Sequence, residues 1–208
     1  MLLAIVLFFL CAVIPGQGAI RRTLAATVMS VGLTEISLEI LAIMAYQSMF
    51  GFLYSRIALL TGLYMIGLAL GAWIGTNTVE KNIGRIQHLA VVQTGMAFLP
   101  LLWAGLLVLH SISPEHSSFT EAGFYILITG AGIAGGFQFP LADFLYRNSL
   151  SNPEKYLGVI YSLDLAGSSV GALVTASLMV PVLGMNPVLI FLSALNLIIA
   201  FSLWLRRT

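Results

Sequence analysis

The stretch Gly32–Gln47, "GLTEISLEILAIMAYQ", sets two glutamates four residues apart in an otherwise apolar run. In a helix, Glu35 and Glu39 lie one turn apart on one face. The run, roughly 23–48, is long enough to cross a hydrocarbon core of about 30 Å at about 1.5 Å per residue. Counted from Arg22, Glu35 then sits about 20 Å up the helix, near the bilayer centre. A charge at that depth costs roughly 2.5–3.5 kcal/mol on an insertion scale. The pair is therefore expected to face the protein interior. There it binds a proton or a cation, or it is hydrogen-bonded to Thr, Ser or Tyr of neighbouring helices.

Composition agrees with a membrane setting. The 208 residues are 59% hydrophobic and 8% charged, against about 25% charged in a typical soluble domain. The net charge is +1, so no basic surface points to nucleic acid. The one cysteine, Cys11, excludes a disulfide within the chain and a cysteine-based zinc site. No cofactor, metal site or catalytic group is expected.

Seven apolar segments can be drawn, at roughly 2–15, 23–48, 54–75, 87–110, 122–143, 157–181 and 186–205. The first is short for a spanning helix and has no positive n-region of the kind a signal peptide carries. It reads as a short or truncated first helix, with residues 1–22 set apart from a six-helix domain at 23–208. The connections are short. With Arg21 and Arg22 cytoplasmic, Lys81, Arg85, Arg147, Lys155, Arg206 and Arg207 fall on the same side, and only Arg56 falls outside. That bias places the N-terminus outside and the C-terminus in the cytoplasm, in a setting such as a bacterial inner membrane.

Glycines at four-residue spacing mark close helix contacts: Gly67, Gly71 and Gly75, then Gly132 and Gly136, then Gly167 and Gly171. Pro140 should kink its segment. Tyr161, Asp164, Ser168, Gly171 and Thr175 form a polar stripe on one helix face. The stripe either lines a cavity or makes a tight interface. Gln93, Gln138 and Asn196 read as interhelical hydrogen-bond partners, and Asp143 with Arg147 as a local ion pair. A weak internal repeat aligns "YMIGLALGA" from Tyr64 with "YSLDLAGSS" from Tyr161.

The last six segments begin and end inside, which resembles one half of a major-facilitator transporter, built as 3+3 inverted repeats. The cytoplasmic loop "GTNTVEKNIGR" resembles the signature loop of that superfamily, with Gly75, Glu80, Lys81, Gly84 and Arg85 in the matching roles. A second resemblance covers about 150 residues. Gly32, Glu39, Tyr46–Gln47, Phe50–Gly51 and Gly67–Gly71 are similar to recurring elements in the membrane domain of fused spermidine-synthase-like proteins. "GGFQFPLADFLY" and "GVIYSLDLAGSSVGALVTASLMVPVLG" are similar to its later half. The soluble aminopropyltransferase domain of that family is absent from this chain, so the resemblance implies a fold and a membrane location and no catalysis.

These observations together predict an all-α, polytopic protein of about seven transmembrane helices. The expected function is that of a transporter-like domain. It would bind or move a small cationic solute, a polyamine among them, at Glu35, Glu39, Tyr161, Asp164 and Ser168. The alternative is a non-catalytic membrane anchor or docking subunit. The expected partners are the lipid bilayer, a second copy or a missing membrane half, and a soluble enzyme domain.

Overall fold

The computed structural model describes residues 18–51, 54–81, 84–112, 117–150 and 158–206. Six helices follow one another: α1 (Ala19–Phe50), α2 (Tyr54–Glu80), α3 (Ile86–Ile112), α4 (Ser117–Asn148), α5 (Val159–Leu183) and α6 (Met185–Leu205). Each is long and apolar enough to cross a membrane. Among the described residues there is no strand, so the protein is all-helical and of the integral membrane class. The expected short helix at 2–15, and Cys11 with it, lies outside the described residues.

The helices outrun the apolar segments because hydropathy marks the bilayer, whereas backbone hydrogen bonding continues past it. The region after Gly75, expected as loop, is one such correction. Gly75 to Glu80 complete the last turns of α2, and Lys81 is the turn that follows. At the other end of the bundle, α4 already begins at Ser117 and carries Glu121 in its second turn. Pro100 and Pro140 lie inside α3 and α4, which continue beyond them. Near Pro181, which cannot donate a backbone hydrogen bond, α5 widens to a π turn over Thr175–Met179, with the Val180 N–H reaching the Thr175 carbonyl. Gly184, at φ 83°, is the single residue between α5 and α6; a Cβ is disfavoured in that conformation.

Three helix pairs dominate the packing: α2 with α4, α1 with α5, and α3 with α6. Glycine makes the first two close. A methyl built on Gly71 would strike the Ile133 carbonyl group, and one on Gly67 the Thr129 carbonyl oxygen. On α5, Gly167 meets Met29 and Gly171 meets Leu33 of α1 in the same way. The contacts climb together along both chains, so α2 runs parallel to α4 and α1 to α5. The expected glycine rows are thus helix contacts. The core has two parts: an aromatic group around Tyr46, Trp103 and Phe124, and an aliphatic group around Leu24, Val28, Leu89, Leu141 and Ile160.

Candidate functional site

Glu35 lies at the midpoint of α1, sixteen residues after Ala19 and fifteen before Phe50. Its side chain points at α4, where Gly135 has no side chain to oppose it. A methyl on Gly135 would occupy the place of Glu35 Oε1. That oxygen is buried and accepts no hydrogen bond. Asp164 of α5 and Tyr64 of α2 both lie close to the same carboxylate. An oxygen removed from water without a donor is costly.

Beside this carboxylate is a cavity of about 260 Å³ between α1, α2, α4 and α5. Glu35, Asp164, Gln138 and Tyr161 give it polar groups; Val28, Val31, Leu68 and Phe139 give it apolar walls. Among the described residues no lysine, arginine or histidine lines it. Gln138 is 1% exposed, and its Oε1 also lacks a partner. Tyr161, 57% exposed, stands at the rim with its ring edge-on to Phe139. Among the described residues no three His, Cys, Asp or Glu side chains gather as a metal site would need.

The expected site residues are divided by this geometry. Glu35, Tyr161 and Asp164 reach the cavity; Glu39 does not line it, and lies a turn away beside Thr61. The polar stripe on α5 is an interface along most of its length. A methyl on Gly32 of α1 would come 2.7 Å from Asp164 Oδ1 and 2.8 Å from Ser168 Oγ, and Thr175 shares a 2.7 Å hydrogen bond with Ser37. Only its Tyr161–Asp164 end opens into the cavity. Of the proposed signature loop, Gly75 packs on Phe137 and Pro140 of α4, and Gly84 faces Leu141 and Phe144. Both glycines therefore serve helix contacts.

Gln138 connects the cavity to a buried hydrogen-bond chain. Its Nε2 donates to Gln93 Oε1 at 3.1 Å, and Gln93 Nε2 donates to Asn196 Oδ1 at 2.8 Å. Asn196 Nδ2 in turn donates to Thr34 Oγ1 at 2.7 Å. The three amides are the interhelical partners their sequence positions predict. Sequence reasoning missed a second polar group, at the Phe50 end of α1. There Arg56 forms an ion pair with Glu121, while Tyr46 and Tyr125 each donate to the same carboxylate at 2.8 Å. The available signal was Glu121 and Tyr125 one turn apart, with Arg56 the only arginine or lysine at that end among the described residues. The expected Asp143–Arg147 ion pair is present at 2.5 Å.

Comparison of the chain with protein-family models, known proteins and solved structures gives no match. The fold and the cavity define the class, an all-helical integral membrane protein with a polar site at mid-helix depth.

Proposed function

We propose that this chain is a transporter-like membrane domain that binds a small cationic solute in the cavity between α1, α2, α4 and α5. One observation carries the reading. Glu35 and Gln138, each with an unpartnered oxygen, line that cavity with Asp164, and among the described residues no basic side chain lines it. Such a site holds acceptors that its own hydroxyls leave unsatisfied, and a cation or an ammonium group supplies what is missing. Intramembrane carboxylates are retained where they serve a pathway or a bound ion. The six-helix arrangement is read as a major-facilitator-like half of 3+3 repeats, in keeping with the spermidine-synthase-like resemblance. In such folds the solute site lies near the midplane where the repeats meet.

The test is labelling of Glu35 by a hydrophobic carbodiimide in the purified, detergent-solubilised protein, read by peptide mass spectrometry. Sodium, methylammonium and spermidine serve as probes. At least one should slow labelling of Glu35 in a saturable way, and Glu35→Gln should abolish both the label and the binding. Identical labelling with all three, together with a Glu35→Gln protein that is as stable as the parent or more so, would favour the anchor function and sink the solute site.

A further inference from the structure

The close contacts between the first three helices and the last three obey one arithmetic. Gly67 meets Thr129, and Gly167 meets Met29; Gly71 meets Ile133, and Gly171 meets Leu33. Gly132 lies on Tyr64 and Leu68, while Gly32 lies on Asp164 and Ser168. Gly75 packs on Phe137, and Thr175 is bonded to Ser37. In every case, adding 100 to the number from the first three helices and subtracting 100 from the other turns one contact into its mate. Buried core positions follow the same rule: Leu24 and Phe124, Val28 and Ile128, Leu41 and Leu141, Ala42 and Ala142, Leu89 and Leu189. Gly84 precedes α3 as Gly184 precedes α6. The alignment of Tyr64 with Tyr161, offset by three from this rule, is not the one the contacts follow.

Resting on the 3+3 repeat read above, we infer that its register is 100 residues, that its two-fold axis passes between Glu35 and Gly135, and that Gly135 is the positioning residue that seats Glu35 on that axis. A contact between a residue and its own equivalent can lie only on the axis, and Glu35 against Gly135 is such a contact. One unit supplies the carboxylate; the other supplies the space. Tyr64 and Asp164, which flank Glu35, are themselves equivalents. The framework is symmetric and the chemistry is not: the equivalent residues beside the carboxylate are a phenol, Tyr64, and a second carboxylate, Asp164. Side chains at both equivalent positions could not fit, since even a methyl at Gly135 collides with the carboxylate. The inference deepens the proposed site, but its first test is independent of any ligand.

That test is a stability cycle on the full chain in detergent. Gly135→Ala should lower the thermal midpoint by about 3 °C or more in the parent, and by less than about 1 °C in a Glu35→Ala background, where the seat is empty. Gly130→Ala, on the same helix with open space around it, should be neutral in both. Should Gly135→Ala alone fail to fold, recovery of the folded protein by adding Glu35→Ala supports the seat, and continued misfolding overturns it. Equal losses in the two backgrounds would make Gly135 a plain packing glycine and overturn the assignment, as would no loss in either. In folded Gly135→Ala the displaced carboxylate should also change its carbodiimide labelling rate about 10-fold, a shift of about 1.4 kcal/mol. Coupling between the two positions without protection by any cation supports the seat while counting against solute binding.

Discussion

Gln93 and Gln138 are hydrogen-bonded to each other, yet their roles should separate on mutation. Gln93 is the centre of the buried chain. It donates to Asn196 and Ser30 and accepts from Gln138. Interhelical hydrogen bonds within membranes average about 0.6 kcal/mol and reach about 1.7. Gln93→Leu breaks three of them and strands the Gln138 amide, so a loss of about 2–4 kcal/mol is expected in a detergent unfolding titration. Gln138→Leu breaks one and also removes an acceptor that already lacks a partner. By leaving the buried Gln93 Oε1 without its donor it should cost about 1–2 kcal/mol, and it should reduce cation protection of Glu35. A Gln138→Leu protein as unstable as Gln93→Leu, with protection intact, would assign Gln138 to the core alone. Residue types were legible in sequence because buried amides in an apolar span must find partners. The pairing of Glu35 was not. A four-residue spacing says which residues share a face, whereas the facing helix decides which of them meets a gap. Gly135 is opposite Glu35, and nothing near Glu35 in sequence announces that.

At the scale of the element, the glycine rows separate contact from lipid. Gly71 is buried against Ile133, while its neighbour Leu70 is 46% exposed. A large side chain at Gly71 must push α2 off α4, because the atoms in the way are backbone and cannot rotate aside. Gly71→Leu should therefore misfold or lose several degrees of thermal midpoint, and Leu70→Phe should be nearly neutral. Equal stability of Gly71→Leu and the parent would mean that α2 and α4 do not touch there. These rows were readable from spacing alone, since small residues every fourth position form one ridge of a helix. Their partners were not: the spacing says that a backbone approaches, but not whose. The same limit hid the dual nature of the α5 stripe, which packs on α1 at Ser168 and Thr175 and opens into the cavity at Asp164.

For the whole molecule, the order of the six described helices followed from hydropathy, and what remains is its direction in the bilayer. Arg22 and Arg206 lie near each other at one end of the bundle, and the Arg56–Glu121 pair with its two tyrosines lies at the end where α1 stops and α2 begins. Eight of the nine basic residues fall on one side of the alternating helices. Basic residues in short loops are retained on the cytoplasmic side. The Arg56 end should therefore face outward. The experiment starts from a Cys11→Ser protein, which removes the native thiol. Single cysteines at Ser113 and Asn186 should react with an impermeant thiol reagent in intact cells. Cysteines at Asn82 and Ser151 should react only after the membrane is opened. The opposite pattern would turn the molecule over, placing Arg56 and Glu121 in the cytoplasm and the eight other bases outside, against the bias from which the orientation is derived. Reaction of all four in intact cells would mean that the chain does not alternate across the membrane. In that case the two three-helix units could not be inverted relative to each other, and the two-fold relation between Glu35 and Gly135 would lose its geometric basis.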